Sequence, residues 1–181
     1  HVGEQTSKDA VTTSRRPVAY THVAPAGMKA HPRNKSDDML KRVNGAGGFV
    51  GVALYAPFLP KGDASDLDDC VDVLSYVVDL LGENRVGLGT DFTQGYGPEF
   101  FEWLRRDKGV GAYIAGVGAN AAGSGGAGPI SKTRPANPKG LDGMAEYPNL
   151  ADALARRGWD DALIARVMGE NWLNFLDDAW T

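Results

Sequence analysis

The sequence predicts an α/β fold built on parallel strands, and three observations lead to it. Residues 17–22 (PVAYTH), 48–55 (GFVGVALY) and 85–91 (RVGLGTD) are short, almost continuously apolar or small runs, as required of strands covered on both faces. The stretches between them carry apolar residues at three- and four-residue spacing, the period of amphipathic helices. Each run begins roughly 30–40 residues after the last, which leaves room for one helix per gap and gives a repeated βα unit.

Taken in order, a helix over residues 7–14 precedes the first strand. The next helix begins at Ser36 and buries Met39, Leu40 and Val43. The helix before the third strand has the clearest pattern: Ser65 as N-cap, then Leu67, Cys70, Val71, Leu74, Val77, Val78 and Leu81, with Gly82 ending it. Residues 98–106 (PEFFEWLRR) predict a further helix. Residues 107–140 are rich in glycine and proline and read as a long insertion without regular structure. Periodicity returns at Leu150, Ala153 and Leu154. Asp160 then caps a helix carrying Leu163, Ile164, Val167 and Met168, Gly169 interrupts it, and Trp172, Leu173, Phe175 and Leu176 form a last amphipathic piece. A complete (β/α)8 barrel takes ~250 residues. Three strands therefore make half of such a barrel or a small doubly wound sheet, and the pattern alone leaves both open.

The 181 residues suffice for one ordinary domain, 43% hydrophobic and 23% charged. A net charge of -4 and a pI near 5.3 argue against nucleic acid or an anionic membrane as partner, since both demand a basic face. No apolar run approaches the ~20 residues of a membrane span, so the expectation is a soluble chain, cytoplasmic or periplasmic. The single cysteine, Cys70, excludes an intrachain disulfide framework and falls within the apolar stripe of its helix, as a small core residue would. The chain opens on His-Val-Gly-Glu without an initiator Met, which reads as a processed start or as part of a longer chain.

Candidate site residues are few. His22 ends the first apolar run, and parallel α/β folds bind ligands beyond the carboxyl ends of their strands. On position alone it reads equally as a functional group and as an edge histidine satisfied by a backbone carbonyl. Asp91 ends the third run and could ligate metal, transfer protons or cap the following turn. Arg33 lies in the loop after the first strand, where its guanidinium fork could clamp a carboxylate or merely be solvated. His31 in the same loop reads as solvated, and His1 cannot be interpreted by itself. Gly116-Val-Gly-Ala-Asn-Ala fails the dinucleotide pattern at its third glycine, and Gly123-Ser-Gly-Gly-Ala-Gly lacks the Lys-Ser/Thr of a phosphate loop. There is no GxSxG and no Cys-His nucleophile arrangement.

Together the segments resemble one family. PVAYTH followed by HPRN and a Ser-Asp-Asp helix start is similar to the histidine strand and Arg-Asn loop of the membrane (renal) dipeptidases. GGFVGVALYAPFL looks like that family's next strand, RVGLGTDF resembles its Gly-Xaa-Gly-(Ser/Gly/Thr)-Asp-Phe motif, and the tail from GLDGMAEYPNL to GENWLNFL resembles its ending. The likeness runs from His1 to Leu176, apart from the glycine-rich insertion. It implies a zinc-dependent (β/α)8 barrel of which this chain supplies the C-terminal half as one domain, with two Zn2+ ions in the complete site bridged by a carboxylate. His1 and His22 match the histidines of one zinc site, Arg33 the arginine that holds the substrate's C-terminal carboxylate, and Asp91 the aspartate that handles the proton.

The resemblance also implies partners. The family's His-Xaa-Asp ligand pair, bridging glutamate and a further histidine have no counterpart here, so the N-terminal half of the same barrel is expected to supply them. The substrate is expected to be a dipeptide, and a homodimer is among the expected assemblies. Two rival functions stand beside this one: a metal-free barrel homologue acting as a binding protein, and a metal-dependent amidohydrolase acting on cyclic amides. The HPRN loop and the tail fit the second poorly, and the matched His1, His22, Arg33 and Asp91 set speaks against the first.

Overall fold

In the computed structural model, which describes residues 2–92 and 137–181, the three apolar runs form one parallel sheet. Its strands are β1 (Ala19–Val23), β2 (Phe49–Val52) and β3 (Val86–Leu88), in the order β1-β2-β3. They are shorter than the apolar runs because only part of each run finds a ladder partner. Past the paired strands the chain stays hydrogen-bonded, with Ala53 donating to the Val23 carbonyl at 2.8 Å and Gly89 to that of Val52 at 2.9 Å.

The crossovers are helical, as the period requires. Helix α1 (Glu4–Thr13) starts three residues before the expected position. Helix α2 (Asp37–Gly45) is capped by Ser36, whose hydroxyl accepts the Met39 N–H, and buries Met39, Leu40 and Val43. Helix α3 (Leu67–Leu81) starts one residue later than a Ser65 cap would give. Its N-cap is Asp66, which accepts from the N–H groups of Asp68 and Asp69 while the Asp69 carboxylate accepts from the Asp66 N–H. That reciprocal box satisfies more of the free N–H groups at the helix start than Ser65 could, which is why it wins. Ser65 itself is buried beneath it.

One face of the sheet packs on these helices. Val50, Val52, Val86 and Leu88 join Leu40 and Val43 from α2 and Cys70, Leu74 and Val77 from α3 in a single apolar core. Helix α4 (Tyr147–Arg156) adds Leu150 and Leu154. Asn137 to Gly140, the end of the expected insertion, lie among the described residues, with Lys139 bridged to Asp66 at the start of α3 and Pro138 buried. Residues 93–136, which hold the helix expected over 98–106 and most of the insertion expected over 107–140, lie outside the described residues, as does His1.

The C-terminal segment clips onto the third strand. Asp160 caps α5 (Asp161–Ala165) by accepting from the Leu163 N–H at 2.7 Å. A π-helical turn, Arg166–Glu170, follows, with non-helical backbone at Gly169, and leads into α6 (Asn171–Trp180). The break at Gly169 re-aims the chain so that the buried Asn171 amide donates to the carbonyls of Glu83 and Val86, at 2.6 and 2.8 Å, and the Trp172 indole to that of Leu88 at 2.7 Å. Phe49, on the sheet face opposite Val50, stacks with Trp172 and Phe175 at centroid distances of 4.1 and 5.3 Å. Gly87 leaves room for this cluster, since a Cβ there would lie 2.8 Å from the Phe49 ring.

Candidate functional site

Three of the four predicted site residues gather at the carboxyl ends of the strands. The first is held by an irregularity in β1. Ala19 and Tyr20 pair with Phe49 and Val50, but Val23 pairs with Val52, so β1 spends one residue more than β2 at Thr21–His22. Such a bulge bends a strand and re-aims a side chain. It pushes the Thr21 carbonyl against the neighbouring strands, where a Cβ on Gly51 or Gly89 would lie only 2.2 or 2.1 Å from that oxygen. The two glycines in GFVGVALY and RVGLGTD therefore make room for the bulge that presents His22.

The His22 ring is half-buried, and its Nδ1 lies 2.8 Å from the Thr21 hydroxyl oxygen. Burial pushes the imidazole below its ordinary range; the Asp91 carboxylate pulls it back up and the Arg33 guanidinium pushes it down again. His22, Asp91 and Arg33 thus share one electrostatic environment. A lowered imidazole is neutral near pH 7, the state in which histidine binds a metal or accepts a proton.

Asp91 lies three residues beyond the end of β3, exposed, with φ of 59°. It is the one non-glycine residue with positive φ among those described. Aspartate tolerates this left-handed region better than most residues but still at a cost, and such conformations concentrate where function requires them.

Arg33 comes from the loop between β1 and α2. The loop is closed at its base, where Ala26 donates to the Lys35 carbonyl at 2.8 Å and Lys35 to that of Ala24 at 3.0 Å. His31-Pro-Arg-Asn is a turn, with the Asn34 N–H donating to the His31 carbonyl at 3.0 Å and proline in the second position that turns favour. The Arg33 guanidinium carbon sits 5.5 Å from the centre of the Phe58 ring, in cation–π range.

His31 corrects the sequence reading. It is buried at 9% exposure rather than solvated, packs on Phe58 at 5.0 Å, and its Nδ1 accepts the Arg33 N–H at 3.1 Å. Phe58, in the 3-10 turn Ala56–Phe58 after β2, is the partner that sequence reasoning missed. The only trace of it was one aromatic in an apolar segment just past a strand's carboxyl end.

The donor chemistry suits a metal in part. His22 offers a neutral imidazole and Asp91 a carboxylate in the same environment, but among the described residues no three His, Cys, Asp or Glu side chains are grouped to hold an ion. A zinc site usually takes three or four protein ligands, so any such site draws on groups outside the described residues. No helix of the described residues is long and apolar enough to cross a membrane.

Comparison with known proteins fits this geometry into a family. The membrane dipeptidase (peptidase family M19) profile matches residues 1–105 and 115–180. An amidohydrolase from Pseudomonas aeruginosa of known structure is 42% identical, with a TM-score of 0.82 over 99% of this chain and 51% of that one. A metallopeptidase from Rhodobacter sphaeroides, solved with a phosphinate mimic of the dipeptide L-Ala-D-Ala, shares the fold at 22% identity and a TM-score of 0.71, over 99% of this chain and 41% of its own. A dipeptidase of Aspergillus terreus is 24% identical over 97% of this chain and 34% of its own length. An uncharacterised dipeptidase of Schizosaccharomyces pombe is 35% identical over 51% of this chain and 23% of its own. The chain thus spans about a third or less of these curated relatives and about half of the Pseudomonas structure. These likenesses decide between the two architectures left open by the sequence pattern: the three-stranded sheet is part of a (β/α)8 barrel. Matched along nearly its whole length, the chain belongs to the membrane dipeptidase family, peptidase family M19.

Proposed function

We propose that the protein is a zinc-dependent dipeptidase acting on dipeptides with a free C-terminal carboxylate. The observation that supports this reading is the convergence of His22, Asp91 and Arg33 in one electrostatic environment, at the strand ends of a barrel from this family. In this reading Arg33 binds the substrate carboxylate through its two-pronged guanidinium and so restricts the enzyme to short peptides with a free end. His22, together with His1, ligates one of two metal ions, and the remaining ligands come from the N-terminal half of the barrel. When bound, the zinc pair polarises the scissile carbonyl and activates water. Asp91 accepts a proton at its carboxylate during attack and returns it to the leaving amine.

The test uses the full-length protein. It should contain about two zinc equivalents per chain, by the two-metal logic of such hydrolases, and should hydrolyse dipeptides rapidly, their C-terminal amides only weakly and cyclic amides not at all. Chelation should abolish turnover and zinc should restore it. His22→Ala should lose about one equivalent and nearly all activity, since a zinc site short of a ligand binds weakly. Hydrolysis of cyclic amides without dipeptide turnover would move the protein to the rival class of amidohydrolases. A metal-free, inactive preparation that zinc does not activate would make it a binding protein.

A further inference from the structure

We infer that His31 is a positioning residue for substrate binding: by accepting the Arg33 N–H, its Nδ1 sets the turn from which Arg33 reaches the substrate carboxylate. The inference rests on the reading of Arg33 given above and adds a residue to it. Three observations bear on it. The His31 Nδ1 to Arg33 N distance is 3.1 Å, so the ring closes the same two-residue span that an Asn or Asp side chain closes in an Asx turn. The His31 ring is buried against Phe58, and the Arg33 guanidinium lies over that same Phe58 ring, so backbone and head group of Arg33 are referred to one aromatic platform.

The platform and the loop are also tied to each other through backbone carbonyls. The Asn34 amide donates to the carbonyls of Lys29 and Phe58 at 2.9 and 3.2 Å, and the Lys29 ammonium to those of Pro57 and Leu59, both at 2.8 Å. The segment after β2 therefore holds the loop after β1 in register. Within that frame, the His31 acceptor acts on the Arg33 backbone and the Phe58 ring on its guanidinium. A histidine placed only to fill space would need its ring; one placed to orient Arg33 needs the acceptor.

Two variants separate these roles. His31→Phe keeps an aromatic ring on Phe58 and removes the acceptor. His31→Asn removes the ring and keeps an acceptor that an Asx turn would place on the same N–H. In the full-length enzyme, His31→Phe should raise KM for a free dipeptide about tenfold, the effect of one lost, partly buried hydrogen bond. Its kcat and zinc content should stay near the parental values, and so should its weak turnover of the C-terminally amidated dipeptide. His31→Asn should stay within about twofold of the parent on all four, as expected where the acceptor is preserved. Equal loss on acid and amide substrates, an unchanged KM in His31→Phe, or a His31→Asn variant as impaired as His31→Phe would each overturn the inference. Arg33→Met run in parallel separates it from the underlying reading. If Arg33→Met still discriminates acid from amide as the parent does, the role of Arg33 falls; if it does not while His31→Phe does, only the role of His31 falls.

Discussion

The carbonyl oxygen of Thr21 occupies the space where a side chain on Gly89 would begin, 2.1 Å from the position of its Cβ. This contact joins the first and third strands across the second, because the same oxygen lies 2.2 Å from a Cβ on Gly51. The bulge at Thr21–His22 and the two glycines are thus one device, and His22 depends on all of it.

Gly89→Ala should therefore destabilise the protein. The clash is with backbone, which cannot swing aside as a side-chain tip could, so the cost should be about 1–3 kcal/mol, the range for overpacking a tight interior. Gly51→Ala meets the same carbonyl, and the double variant should lose less than the two single losses combined. Gly45→Ala is the control: it sits at the end of α2 with nothing within 4 Å of its Cβ, and it should be neutral or slightly stabilising. Urea unfolding of the parent and the four variants checks the order, and a Gly89→Ala variant as stable as the parent would refute the account of the bulge.

Cys70 should be inert in the folded protein. It is fully buried in α3, and burial, reinforced by Asp69 and Asp66, pushes its thiol up to about 12. The reactive species is the thiolate, so alkylation at pH 8 followed by peptide mapping should leave Cys70 unmodified until denaturant is added. The sign of the pH effect follows. The unfolded thiol titrates near ~8.5, so the unfolded state loses the proton first. The contribution to stability is complete below that pH and is lost as pH rises through the folded value. Tyr20, also held above its ordinary range by burial, adds a slope of the same sign. The measurement is the difference between parent and Cys70→Ala, whose stability should fall less steeply above pH 9.

Local signals made much of the fold legible. The stripe from Leu67 to Leu81 announced α3, and Ser36, Asp160 and Gly169 marked their boundaries, because capping and helical period are set by residues close in sequence. The exact cap of α3 was harder, since Ser65 and Asp66 are both good caps and only the reciprocal bond with Asp69 separates them. Strand ends were overestimated for a different reason: pairing depends on a partner remote in the chain, and apolar character continues past the last ladder bond. For the candidate residues, position was legible and support was not. His22, Arg33 and Asp91 stand where parallel folds collect function, whereas the burial of His31 arises from Phe58, on a different βα loop, and no local pattern links the two.

Asp91 offers the sharpest separation between a catalytic and a structural role. It is exposed just past the end of the third strand, shares the field of His22 and Arg33, and adopts a left-handed backbone that most residues resist. Asparagine tolerates that backbone at least as well as aspartate, so Asp91→Asn should fold with parental thermal stability, whereas Asp91→Val should lose stability through strain alone. Asparagine also keeps the shape and an acceptor oxygen, but it cannot take up a proton and return it. If Asp91 transfers protons, Asp91→Asn in the full-length enzyme should retain its zinc and lose roughly 10²–10⁴-fold in kcat, the range for a general acid or base. If Asp91 serves only to turn the chain, asparagine should replace it with kcat nearly unchanged. Loss of zinc together with activity would instead make Asp91 a ligand. Steady-state kinetics and metal analysis on the same preparation distinguish the three, and the Asp91→Val melt shows independently how much the left-handed backbone costs.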